Sequence, residues 1–237
     1  MKILVNIIAL CCVAFQLNAQ KVIEKEITTS ADRINIEFKF AEDIVVKTWD
    51  KNNVYLKAEV SINDGEFDDY FDLKIDNSSS VLDIESSYGD LFKKWNKERG
   101  SNKKNNWGPC NNLDMESNYT LYIPKNMSLR IKSISGNVVS ENYQGELEID
   151  IISGNIDIKK YGGELTLKTI SGDIDINISQ SKLLAETITG LIYSDKEMEF
   201  DKGKNRMMGS KVTGTFGNVK SNLHLKTISG DIFLRKQ

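Results

Sequence analysis

KTISGD, residues 168–173, returns unchanged at residues 226–231, and the reading of this hexapeptide decides the fold. Its Ile-Ser-Gly centre recurs as Ile134-Ser135-Gly136, Ile152-Ser153-Gly154, Ile170-Ser171-Gly172 and Ile188-Thr189-Gly190, each copy 18 residues after the last. Val212-Thr213-Gly214 follows after 24 residues and Ile228-Ser229-Gly230 after another 16. A fixed short period is the mark of stacked repeats, because one unit cannot bury its own apolar face.

One unit, GELEIDIISGNIDIKKY at 145–161, shows how this works. Leu147, Ile149 and Ile151 alternate with Glu146, Glu148 and Asp150, which predicts a strand with one buried face. Ser153-Gly154-Asn155 is turn chemistry. Ile156 and Ile158 begin a second short strand, and Tyr161-Gly162-Gly163 turns again. Because alternation breaks at Ile151-Ile152, the spacing predicts that Ile152, Ile170 and Ile188 pile into an inner column. On that reading Ile170→Asp would place a charge in the core and unfold the repeats. Gly136, Gly154, Gly172 and Gly190 are expected where a Cβ has no room or φ is positive. Lys132, Asp150, Lys168 and Glu186 form an outward column of alternating charge that would fix the register of parallel stacking.

A hexapeptide β-helix does not fit, because the series from Ile152 in steps of six puts Glu164 and Lys182 inside. The expectation is therefore a flattened parallel β-solenoid (β-helix) of about 18 residues per coil. Right-handed crossovers follow from the general rule for parallel strands.

The rest of the chain divides into three expected parts. Residues 1–19 read as a signal peptide, with Lys2, an apolar run from Ile3 to Phe15, and Ala19 before the cut. That run falls short of the ~20 residues needed to span a bilayer. Residues 20–125 form an all-β region: Ile34 to Phe40, Ile44 to Thr48, Val54 to Val60, a hairpin of Phe71–Ile75 with Val81–Ile84, and Tyr119 to Ile123. The repeats occupy 126–237, and 20–237 is compatible with one continuous domain. A polar, basic loop at 88–116 interrupts the strands, with a short helix expected near Leu91 to Lys97. Its Trp95, Trp107, Lys103 and Lys104 are the candidate ligand-binding residues, since rings beside cations suit sugars or acidic polymers. Deleting residues 92–112 is expected to leave the fold intact.

Chemistry is sparse. The chain has 31 basic and 34 acidic residues, a net charge of −3; the leader holds Lys2 alone, so cleavage gives −4. That balance favours neither nucleic acid nor an anionic membrane surface. Cys110 alone of the three cysteines lies beyond the leader, which leaves no internal disulfide. His224, the single histidine, sits between Leu223 and Leu225 and should point outward. No nucleophile–base set, zinc-type Cys/His cluster, phosphate loop or dinucleotide fingerprint occurs, so no cofactor is expected. Carboxylates are abundant, and pairs such as Asp173 with Asp175 could be weighed for glycoside chemistry, but Asp173 falls in a turn and Asp175 on an outward strand position; Asn137, Asn155 and Asp173 read as turn formers.

YTLYIPKNMSLRIKSISGNV (119–138), the KTISGDIDI and KTISGDIFL repeats, and DIVVKTWDKNNVYLKAEV (43–60) together resemble the putative-adhesin family of secreted bacterial β-repeat proteins, over roughly residues 30–237. The resemblance implies an all-β solenoid, an envelope location (periplasm, outer-membrane surface or extracellular), and no catalytic residues. The export signal, the repeat and the lack of a nucleophile–base set together point to non-enzymatic, adhesin-like binding or scaffolding of a glycan, a cell-wall polymer or an envelope protein. A glycan-active enzyme and an envelope-stress accessory protein are the rival readings. The leader ending Ala19-Gln20 resembles those of Bacteroidetes envelope proteins.

Overall fold

The computed structural model describes residues 20–78, 80–101, 113–195, 201–202 and 209–236. The expected leader, and with it Trp107, Lys103, Lys104 and Cys110, lies outside them. In chain order the strands are β1 (Lys21–Thr28), β2 (Arg33–Trp49), β3 (Asn53–Ile62), β4 (Asp72–Asp76) and β5 (Val81–Ser87). Helix α1 (Leu91–Ser101) follows, then β6 (Met115–Pro124), β7 (Ser128–Ser140), β8 (Tyr143–Gln144), β9 (Leu147–Ser153), β10 (Ile156–Ile158) and β11 (Tyr161–Gly162). Next come β12 (Leu165–Ser171), β13 (Ile174–Ile178), β14 (Ser181–Thr187), β15 (Ile192–Ser194) and β16 (Asp201–Lys202). β17 (Ser210–Thr215), β18 (Ser221–Ser229) and β19 (Ile232–Lys236) complete the set.

All but β8 and β11 belong to one 17-stranded sheet folded into two layers. The first layer runs β4, β5, β2, β7, β9, β12, β18, β14, β17, β16. The second runs β1, β3, β6, β2, β7, β10, β13, β19, β15. β2 and β7 are long enough to bend and serve both layers. The strands of 20–125 and of 126–237 are thus joined edge to edge through β2 and β7. Pairing is parallel through the middle of each layer; antiparallel β4–β5, β14–β17 and β1–β3–β6 stand at three of the ends, and β15 pairs β19 in parallel at the fourth. The sheet is therefore mixed: the parallel stack expected from the repeats is present, and antiparallel strands cover three of its edges, where bare strands would offer unpaired backbone.

Alternation makes the core. Leu147, Ile149 and Ile151 from the first layer face Ile156 and Ile158 from the second, all 1% exposed or less. Each such side chain fully buried stabilises the fold by roughly 1.5–3 kcal/mol.

The order of the rungs departs from the sequence. Leu129, Leu147 and Leu165 pair in succession, as the 18-residue step requires. The next neighbour of Leu165 is Leu223 of β18, and only then comes Leu183 of β14. The last coil is thus inserted between the third and the fourth. The glycines report the same order: a Cβ on Gly172 would lie 2.0 Å from the Gly154 carbonyl oxygen, on Gly230 2.0 Å from that of Gly172, and on Gly190 1.8 Å from that of Gly230. The charge column reads Lys132, Asp150, Lys168, Lys226, Glu186, so two lysines are neighbours where strict alternation was expected.

The inward isoleucine column is also corrected. Ile134, Ile152, Ile170, Ile228 and Ile188 do stack, but on the outside, at 44%, 49%, 46%, 38% and 42% exposure. The inward seat belongs to the preceding residue, with Thr169, Thr227 and Thr187 all buried. The reason is a carbonyl at the corner that needs a donor. Thr169 Oγ1 donates to Gly154 O at 3.1 Å, Thr227 Oγ1 to Gly172 O at 3.0 Å, and Thr187 Oγ1 to Gly230 O at 2.9 Å. The turn residues act as expected. The Asp173 amide donates to Asn155 Oδ1 at 2.8 Å, and the Asp231 amide to Asp173 Oδ1 at 2.7 Å, so each turn caps the next.

Candidate binding surface

Three aromatic rings meet on the outer face of the second layer. Trp49 ends β2, Tyr55 lies on β3 and Tyr122 on β6. Tyr55 and Tyr122 are outward because their strand neighbours, Val54 and Leu56, Leu121 and Ile123, are fully buried, and Trp49 is in phase with Lys47, out of step with buried Ile44 and Val46. Parallel β2–β6 pairing sets Lys47 beside Tyr122, and antiparallel β3–β6 pairing sets Tyr55 on its other side. Ring centroids are 5.1 Å apart for Trp49–Tyr122, 5.8 Å for Tyr55–Tyr122 and 6.4 Å for Trp49–Tyr55. All three rings are half-buried.

The platform is held and charged. Trp49 Nε1 donates to Asn53 O at 2.8 Å across the β2–β3 turn, which fixes the indole. Lys51 Nζ lies 4.5 Å from the Trp49 ring centroid and Lys47 Nζ 5.7 Å from that of Tyr122. Lys125 Nζ meets Asp50 Oδ1 at 2.5 Å on the adjoining turn. Partial desolvation, and next the Glu24 carboxylate, raise the Tyr55 hydroxyl above its ordinary pKa, so it stays a neutral hydrogen-bonding group. Rigid rings with apolar faces, hydroxyl tips and cations alongside suit the C–H faces and oxygens of sugar rings.

Trp95 stands elsewhere. It lies on α1, half-buried, with its ring edge-on to Phe67 at 5.9 Å. Lys94 Nζ covers the Phe67 and Tyr70 rings at 5.0 and 5.2 Å. The helix is therefore packed on the N-terminal strands.

The remaining candidates are engaged. Asp173 caps the next turn, and Asp175 is held by Arg235 through three contacts of 2.6–2.9 Å. His224 points outward, as its flanking leucines require; desolvation first, then Lys168, lower its pKa, while Glu186 acts the other way. It lines a cavity of about 570 Å³ with Glu164, Lys182, Lys211 and Asn222. Among the described residues no group of three His, Cys, Asp or Glu side chains could hold a metal ion, and no helix is long and apolar enough to cross a membrane.

The sequence carried a faint sign of the platform: three strands whose otherwise polar outer faces each bear an aromatic. Only the β2–β6–β3 strand order brings them together.

Comparison with known proteins agrees with the architecture. A family model described as Toastrack DUF4097 matches residues 116–235. A crystal structure of a putative cell adhesion protein from Clostridium sporogenes is similar at TM-score 0.57 and 12% identity, covering 92% of this chain and 100% of that one. A putative adhesin from Bacteroides fragilis aligns at TM-score 0.32 and 10% identity, covering 93% and 99%. A putative lipid binding protein from Parabacteroides distasonis aligns at 0.22 and 14%, covering 91% and 97%. The first likeness shows a shared fold; the other two carry no argument here. No curated protein matches the sequence.

Proposed function

The chain belongs to the Toastrack DUF4097 family, and from that premise we propose that it is an exported, non-enzymatic β-scaffold whose Trp49–Tyr55–Tyr122 platform binds the sugar rings of a glycan or cell-wall polymer. Residues 1–19, with the features of a signal peptide, support export to the envelope or beyond. Trp95, Trp107, Lys103 and Lys104 form a second contact element of this proposal.

One observation carries the reading. Three rings stand side by side on an outer face, with Lys51 over one and Lys47 over another. The core does not require them there, because the inward seats beside them are already filled by Val46, Val54, Leu56, Leu121 and Ile123. A glycan array probed with residues 20–237 tests it. Binding to a defined sugar class is expected, with Trp49→Ala and Tyr122→Ala each losing about tenfold in affinity, the size of a typical aromatic contact. Equal binding by wild type and both variants, or none by wild type, overturns the assignment.

A further inference from the structure

The outward isoleucines lie on the first layer, away from the platform, and nothing in the fold explains them. The corner needs the threonine, the glycine and the Asn/Asp cap, while the residue between Thr169 and Ser171 faces solvent. Yet that position is isoleucine on five consecutive rungs, each 38–49% exposed. At ~4.8 Å per rung the ladder is ~19 Å long. A shallow depression of about 360 Å³ between Lys132, Ile134, Asp150 and Ile152 shows the ladder and the charge column sharing one surface. A contiguous apolar strip of this kind marks an interaction surface.

The charge column names the occupant. From β7 to β14 it reads Lys132, Asp150, Lys168, Lys226, Glu186. A second copy laid on it with its stack reversed, about a two-fold axis through the Lys168 rung, sets Lys132 against Glu186 and Asp150 against Lys226. Glu37 and Lys211, one rung beyond at either end, meet in the same way. Only Lys168 faces itself. With the stacks aligned instead, every charge meets its own sign. With the axis moved half a rung towards β18, Lys168 meets Lys226 and Asp150 meets Glu186. Glu186 also bonds Lys211 in its own chain at 2.7 Å.

We propose that this face binds a second copy of the chain, reversed, with the five isoleucines interdigitating about Ile170 and the flanking charges paired. Such a self-complementary patch is what an isologous dimer requires. Seven rungs by three outward columns cover ~29 by ~14 Å, or ~400 Å² per partner and ~800 Å² in all, below the ~1,200 Å² of standard interfaces and in the range of weak, transient ones. The dimer is accordingly weak and concentration-dependent. It leaves the platform free on each copy, so two sugar-binding surfaces would be linked.

The test uses residues 20–237 carrying Cys110→Ser, in sedimentation equilibrium and with a short bismaleimide cross-linker. Wild type is expected to dimerise at tens of micromolar, and Ile170→Asn to weaken the dimer about tenfold or more with melting unchanged. Ile170→Cys should cross-link to itself, whereas Ile152→Cys should link to Ile228→Cys when the two proteins are mixed. Asp150→Lys and Lys226→Asp should each be monomeric alone and dimerise together. A monomer at 200 µM, or self-linking by Ile152→Cys without Ile170→Cys, overturns the proposal. Sugar binding by Trp49 and Tyr122 is scored separately, so a monomer that still binds glycan removes only this inference.

Discussion

The repeat half and the N-terminal half meet the same demand, a two-layer core without disulfides, by different means. From β7 onward the corners are built by backbone-level chemistry. Gly172 has no Cβ, Thr169 caps a carbonyl, and Asp173 caps the next turn. From β1 to β6 the space is filled by rings instead. Phe38 stacks on Tyr119 at 3.8 Å, Phe71 lies edge-on to Tyr88 at 5.5 Å, and α1 closes the end with Leu91 and Trp95. Where every rung repeats, a residue that the corner does not need stands out, which is how the outer isoleucines become visible. Where rings fill the core, outward rings such as Tyr55 and Tyr122 hide among many aromatics.

The contrast can be broken most severely at the glycines. Gly172→Val puts a Cβ 2.0 Å from the Gly154 carbonyl oxygen at φ +150, and should cost 4 kcal/mol or more, about enough to unfold the chain. Loss of the cooperative melt in circular dichroism checks it, and an ordinary melt would show the rungs to be farther apart.

On the ring-packed side, deleting residues 92–112 uncovers Phe67 and Tyr88, which meet Trp95 and Phe92. The expected loss is about 2–3 kcal/mol in urea unfolding, so the loop is not the neutral insertion that its polarity suggests. Thr227→Val leaves the Gly172 carbonyl without its 3.0 Å donor and should cost about 1–2 kcal/mol. Ile170→Asp, by contrast, is a surface change and should stay within about 0.5 kcal/mol of wild type in the monomer. A loss of several kcal/mol would return Ile170 to the interior.

The smallest effect is a pH dependence. The folded pKa of His224 is lowered by desolvation, then by Lys168, Lys226 and Lys211 against the opposing Glu186. Its contribution is present above the ordinary histidine value of about 6.5, and is lost as pH falls through the lower folded value. His224→Gln should flatten the decline in melting temperature below pH 6.5. An unchanged slope would assign that decline to carboxylates.

Much of this was legible locally. Alternation through Leu147, Ile149 and Ile151 gave the strand and its inner face, Gly154 and Asn155 the turn, and LFKKWNK the helix. Ile170 was misread because an apolar residue beside a threonine looks like the one to bury; the deciding factor, the Gly154 carbonyl that Thr169 serves, belongs to another coil. Rung order was hidden for a related reason. The two identical KTISGD copies are direct neighbours, and their like-charged Lys168 and Lys226 argue against that placement unless the matching Thr, Gly and Asp contacts are seen. The platform needed pairings between strands far apart in sequence.

Insertion of β18 and β19 between coils three and four also sets the order in which the molecule can assemble. Coils added one after another as the polypeptide emerges would zip Leu165 directly onto Leu183 and seal a shorter, wrong stack. In the native stack residues 221–236 occupy that seam, so it must be open, or must reopen, when they arrive.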